Sequence, residues 1–254
     1  MRLTKHHGLG NDFLVLLDPD DHWALGERLA RHLCDRHLGV GADGLVRLGG
    51  GDVFQLRNAD GSEAETSGNG LRCLGQAVAM ERGVDELDLV VQTSAGTRRI
   101  AVRPGPHVHT ASVRVGMGRV VESAEPPEPA GADGALKAMA VDLGNPHTVR
   151  LFAERGGLDA AADQETAGTR NVEFVMAGPG PDELTMRVVE RGVGETAACG
   201  TGACAAAWAA HGWGLVGDRV TVHMPGGSLQ VDLGETVSLT GPARFVATVQ
   251  VPWP

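Results

Sequence analysis

ERGVGETAACGTGAC, residues 190–204, and NADGSEAETSGNGLR, residues 58–72, are two versions of one device: a small reactive side chain followed by Gly-x-Gly. In the later copy that side chain is Cys199, in the earlier one Ser67, and the two stand 132 residues apart. Glu63 precedes Ser67 by four residues and Glu195 precedes Cys199 by four, and a stretch with helical character follows each. The repeat extends further. Leu89 to Gln92 and Arg99 to Val102 read as a hairpin around Gly96, and Arg219 to His223 and Leu229 to Leu233 do the same around Gly227, at an offset of 131. A nearly constant offset marks duplication, and two copies are too few for a solenoid. The pattern predicts two similar domains.

A chain of 254 residues accommodates two domains with separate cores. The expected boundary falls between Met117 and Ala138, where EPPEPAGADG supplies Pro and Gly without hydrophobic periodicity, giving an N-terminal half over 1–118 and a C-terminal half over 119–242. Short apolar or β-branched runs predict strands over 13–17, 45–47, 53–57, 112–115, 139–142, 172–175 and 184–189. Helical spacing of apolar residues marks 23–34 and 71–80, and 203–211 is Ala-rich. The expected class is α/β of the α+β type, each half a set of strands wrapped around a central helix that begins just after the reactive residue.

The net charge of −10, with no Lys/Arg run, argues against nucleic acid or an anionic membrane as partner. The N-terminus lacks a signal-peptide core and no stretch approaches a membrane span, so a soluble, cytosolic protein is expected. Cys34, Cys73, Cys199 and Cys204 form no Cys-x-x-Cys pair, so free thiols rather than a metal site are expected. Lys5 and Lys137 are the only lysines, and neither sits in a motif suited to a pyridoxal Schiff base, so no cofactor is expected.

A helix start offers N–H groups without intrahelical partners and the positive end of the dipole, which together suit a carboxylate. Gly68-Asn69-Gly70 and Gly200-Thr201-Gly202 lack bulk where such a group approaches. Charge that develops when the adjacent C–H is deprotonated would be stabilised there. The same location is expected to lower the Cys199 thiol toward neutrality and make it a base. Standing alone, Cys199 also reads as a small buried hydrophobe and the glycines as caps; the repetition favours chemistry.

KHHGLGNDF (5–13), DRHLGVGADG (35–44), RNADGSE (57–63), SGNGLRC (67–73), GNPH (144–147), RNVEF (170–174), ERGVGET with ACGTGAC (190–204) and MPGGS (224–228) together resemble the diaminopimelate epimerase family over nearly the whole chain. The resemblance implies two similar halves with the active site between them, the last strand, about 243–254, returning to the first half. It implies cofactor-independent epimerisation of LL-2,6-diaminopimelate to the meso form, in lysine and cell-wall precursor synthesis. It also implies a homodimer, and the two-domain arrangement leads us to expect closure over substrate. By resemblance Cys199 is one of two catalytic cysteines, with His147 and Glu190 assisting. Gly68, Asn69, Gly200 and Thr201 hold the reacting carboxylate, and Asn11, Asn58, Asn145, Asn171, Glu190 and Arg191 read the rest of the substrate. Singly, Asn58, Asn171 and Asn145-Pro146 also read as turn residues, Glu190-Arg191 as a solvated pair, and His6, His7 and His147 as structural. His32, His37, Cys34 and Cys204 read as packing or surface.

Two departures stand out. Ser67 occupies the place of the family's other cysteine, and Cys73, about 9 Å further along the helix and on a different face, does not replace it. A serine hydroxyl is a far weaker acid than a thiol and needs a neighbour such as His147, or water, to take part in proton transfer. Ser67 is thus open to three readings: an engineered replacement, a natural variant mechanism, or a homologue with another substrate or with binding alone. Gly44 stands where some members carry a polar side chain, so one substrate contact is expected to be missing or supplied by water.

Overall fold

The computed structural model describes residues 1–64, 67–122, 134–166 and 168–252. Most of EPPEPAGADG lies outside the described residues. The chain divides into two compact units, Met1–Val115 with Gly241–Pro254, and Gly116–Thr240.

In the first unit, strands β1 (Arg2–Gly8), β2 (Asn11–Leu17), β3 (Gly44–Gly49), β4 (Val53–Asn58), β5 (Leu87–Thr93), β6 (Gly96–Pro104) and β7 (Thr110–Gly118) follow one another in the sheet. Helices α1 (Glu27–Cys34) and α2 (Gly68–Arg82) connect parallel neighbours, β2 to β3 and β4 to β5. α2 packs on β1, β2 and β6 and is buried without interruption from Gly68 to Ala79. Its leucines Leu71 and Leu74 are fully enclosed, each contributing about 1.5–3 kcal/mol.

The second unit repeats the plan with β8 (Val121–Glu122), β9 (Lys137–Asp142), β10 (Pro146–Leu151), α3 (Arg155–Gln164), β11 (Asn171–Ala177), β12 (Glu183–Glu190), β13 (Gly194–Thr196), α4 (Gly200–Gly212), β14 (Arg219–Met224) and β15 (Gly227–Asp232). The sheet runs β15-β14-β12-β11-β10-β9-β8, with β13 folded back on β12. The Ala-rich sequence of α4 has high helix propensity and little bulk, so strands approach it on several sides. The last strand, β16 (Val237–Gln250), pairs through 238–240 with β15 and through 244–250 with β1.

Strand register makes the repeat quantitative. Phe13 pairs with Gly44 and Val15 with Val46 across β2 and β3; His147 pairs with Asn171 and Val149 with Glu173 across β10 and β11. His147 therefore corresponds to Phe13, and Glu173 to Val46. Gly10 (φ +91°) and Gly144 (φ +97°) both turn the chain through the left-handed region just before an asparagine, Asn11 and Asn145.

The central helices start at Gly68 and Gly200, directly after the reactive residues. α1 begins only at Glu27, because Gly26 caps it in an extended conformation and Trp23 stands outside. Helix α3 and strands β1, β8, β10 and β13 have no counterpart in the sequence expectations. Among the described residues no helix is long and apolar enough to cross a membrane.

Candidate active site

Cys199 takes an extended conformation (φ −124°, ψ 119°) as the N-cap of α4, and its Sγ accepts from the N–H of Gly202 at 3.4 Å. Thr201 Oγ1 lies 3.5 Å from the sulfur. Glu190, which ends β12, stands close enough to the thiol for each to act on the other's titration. The β12–β13 hairpin folds Thr196 back so that its hydroxyl donates to Glu190 Oε1.

A second line of contacts leads inward from Thr201. Asn145 Nδ2 donates to Thr201 Oγ1 at 3.3 Å, Asn145 Oδ1 meets His147 Nε2 at 3.1 Å, and His147 Nδ1 meets Glu173 Oε1 at 2.6 Å. His147 and Glu173 are both 0 % exposed. One polar chain thus runs from Glu173 through His147, Asn145, Thr201 and Cys199 to Glu190.

This environment overturns the expected low thiol pKa. Burial, then the carboxylates of Glu190 and Glu173, push Cys199 well above the ordinary thiol value, outweighing the favourable bonds from Thr201 and Gly202. Burial likewise raises Glu190, against the hydrogen bonds from Thr196 and Cys199. The surroundings of the sulfur thus favour its protonated form.

The first unit repeats the backbone with other side chains. Ser67 (φ −131°, ψ 117°) caps α2, its Oγ accepting from Gly70 N–H at 3.0 Å. Asn69 Nδ2 donates to Asn11 Oδ1 at 3.0 Å, the reverse of the other unit, where Asn145 donates to Thr201, and Asn11 Nδ2 donates to Asp43 at 2.9 Å. Arg72, fully buried, donates to Asn69 Oδ1 at 2.8 Å.

The family model for diaminopimelate epimerase matches residues 3–122 and 139–246. Diaminopimelate epimerases of Pelotomaculum thermopropionicum and Desulforudis audaxviator are 40% and 42% identical to the chain, with 100% and 97% of the chain and 99% and 97% of those proteins covered. The chain belongs to the diaminopimelate epimerase family. Its fold matches a protein described as a predicted epimerase from Pseudomonas aeruginosa, with TM-score 0.77, 16% identity, and 100% of this chain and 99% of that one covered.

Within each unit the structure gathers part of the expected set. Cys199, Gly200, Thr201, Asn145, His147 and Glu190 meet around the start of α4, and Ser67, Gly68, Asn69 and Asn11 around the start of α2. Asn171 is buried and accepts from the backbone N–H of Arg191 at 2.9 Å, setting the path of the chain there, while the Arg191 side chain is exposed. Asn58 is exposed, its amide donating to Ser62 Oγ at 3.0 Å within a turn. Glu63 and Glu195 do not approach the reactive residues: they pair with Arg57 and Arg187 at 2.8 and 2.6 Å.

Cys73 is fully buried and burial lifts its thiol to about 12, consistent with a packing role. Gly44 has no room for a side chain, since a Cβ there would lie 2.9 Å from Arg57 O and 3.0 Å from the Phe13 ring. Glu173, Thr196 and Asp43 escaped the sequence reading. A charge inside the apolar run Val172–Val175 was the available signal for Glu173.

Proposed function

We propose that the protein epimerises LL-2,6-diaminopimelate to the meso isomer by two-base proton transfer without a cofactor. The observation that carries this reading is Cys199 capping α4, in contact with Glu190 and Thr201, within a chain that matches the family across both halves. The α-carboxylate docks on the N–H groups of Gly200 and Thr201, which helix geometry leaves without intrahelical partners. These donors are fixed before reaction and face the charge that develops as the α-proton leaves.

Cys199 serves one face of the α-carbon. As a base it first passes its proton to Glu190, whose raised affinity for a proton suits the exchange; as an acid it returns a proton directly. Position 67 serves the other face, where the Ser67 hydroxyl acts through a neighbour or water and limits the rate. Arg191 meets the distal carboxylate, and the surrounding amides order the distal amino-acid head. The reaction runs in the cytoplasm, on a small amino-acid substrate, with a homodimer as the working assembly.

The test is a time course of the purified protein with LL-diaminopimelate, lysine, proline and hydroxyproline, resolved by chiral chromatography. The expected result is conversion of diaminopimelate alone. Conversion of proline or lysine would replace the substrate. Tight binding of diaminopimelate without conversion would make the chain a binding protein, the reading that Ser67 favours.

A further inference from the structure

We propose that Glu173 is a positioning residue of the epimerase site: it holds the His147 ring so that Nε2–H anchors Asn145, which aligns Thr201 against Cys199. The inference rests on the functional reading above.

The two units supply the contrast. Gly70 and Gly202 are the third residues of α2 and α4, and a Cβ added at each would meet the same strand position: Val46 Cγ2 at 3.5 Å in one, Glu173 Oε1 at 2.7 Å in the other. Phe13 stands where His147 stands. One and the same backbone is thus supported at its helix start by Phe and Val in the first unit and by His and Glu in the second. An apolar pair meets the structural need. The polar pair costs desolvation, and Glu173 Oε2 is buried with no hydrogen-bond partner among the described residues. Burying a carboxyl that is only half satisfied calls for a reason beyond packing.

Hydrogen-bond accounting gives that reason. Asn145 Nδ2 is committed to Thr201, so Oδ1 faces His147, and Nε2 must carry the proton of that contact. The 2.6 Å separation of Nδ1 and Oε1 holds a second proton between ring and carboxyl. The carboxylate only accepts, so it fixes Nδ1 as a donor and leaves Nε2–H to Asn145. A glutamine amide at 173 can donate to Nδ1 or accept from it, so the ring protons are no longer held in one arrangement, the Nε2–Asn145 contact loses its donor in part of the molecules, and Thr201 is released from register with Cys199. The titratable groups around the pair are Glu190 and Cys199, both left in place.

The experiment compares the whole protein with Glu173→Gln. The expected result is a fall in kcat of about tenfold or more, larger than any change in KM, because the change misaligns the reacting sulfur while the N–H groups of Gly200 and Thr201 stay fixed by the helix. In the unsubstituted protein, 15N-edited NMR is expected to show both His147 nitrogens protonated, with a low-field proton at Nδ1 that the variant loses. Wild-type kcat in the variant, or a wild-type ring lacking the proton on Nε2, would overturn the proposal. The NMR arm needs no substitution and is unaffected if the variant fails to fold. It also separates the two readings: absence of turnover in the unsubstituted protein removes the epimerase function, while the ring protons still report on what Glu173 does.

Discussion

Ser67 and Cys199 cap α2 and α4 through the same bond to the third helical N–H, at 3.0 and 3.4 Å, in nearly the same backbone conformation. Behind Cys199 stand Glu190, Thr201, Asn145, His147 and Glu173; the positions corresponding to His147 and Glu173 behind Ser67 are Phe13 and Val46. The first unit has Arg72 donating to Asn69 near its helix start and a further buried polar pair where His6 on β1 meets Gln76 in the middle of α2 at 2.9 Å. Duplication has preserved the capped helix-start backbone in both halves and placed the Cys199, Glu190, His147 and Glu173 set in one. The helix start alone does not make a reactive cysteine, since the groups around it raise the Cys199 thiol.

Several substitutions break or sharpen this comparison. Cys199→Ala should reduce turnover by about 10³-fold or more, as expected for loss of a direct proton carrier, while its melting temperature changes only by the loss of a cap. Gly202→Ala pushes a methyl to within 2.7 Å of Glu173 Oε1 and should lower turnover by about ten- to a hundredfold. Gly70→Ala meets only ordinary or slightly tight contacts, at 3.3 Å and beyond, and should be much milder in the same assay. Ser67→Cys should raise turnover by roughly tenfold or more, and the fold accepts it because a cysteine caps α4 in the same geometry. No gain would show that position 67 is not a simple acid/base.

Smaller effects separate electrostatics from packing. Removing the Glu190 charge in Glu190→Gln lowers the Cys199 pKa, so iodoacetamide should modify Cys199 several-fold faster at fixed pH even as turnover falls. The smallest effect concerns the first unit. Burial holds His6 at about 4 against its ordinary 6.5, despite the bond to Gln76. Between those values the unfolded chain takes up a proton that the folded one refuses, so stability falls as pH drops through this window, by up to about 3 kcal/mol. Calorimetry of His6→Asn should show a flatter dependence of melting temperature over the same range.

Much of this was legible in the residues. Small reactive side chains before Gly-x-Gly located both helix starts, and the constant offset announced the repeat. Helix α3 was hidden because Arg155–Gly157 opens it with two glycines, and β1 because its burial does not follow a clean alternation. In the site, motif membership identified His147 and Glu190, yet spacing along the chain says nothing about the Cys199 pKa. That depends on burial and on carboxylates brought in from β11 and β12. Glu173 became meaningful only when register showed that it holds the place of Val46 in the repeat.

The most direct test of the inequality between the halves is isotope exchange in D2O, run separately from LL- and from meso-diaminopimelate. The equilibrium constant ties kcat/KM in the two directions together, so the asymmetry must appear in where deuterium enters. Deuterium is expected in the recovered starting isomer for one direction only, the one in which Cys199 removes the proton and returns a solvent deuteron before position 67 completes inversion. Deuterium confined to the product from both isomers would mean two equally competent bases and would contradict it.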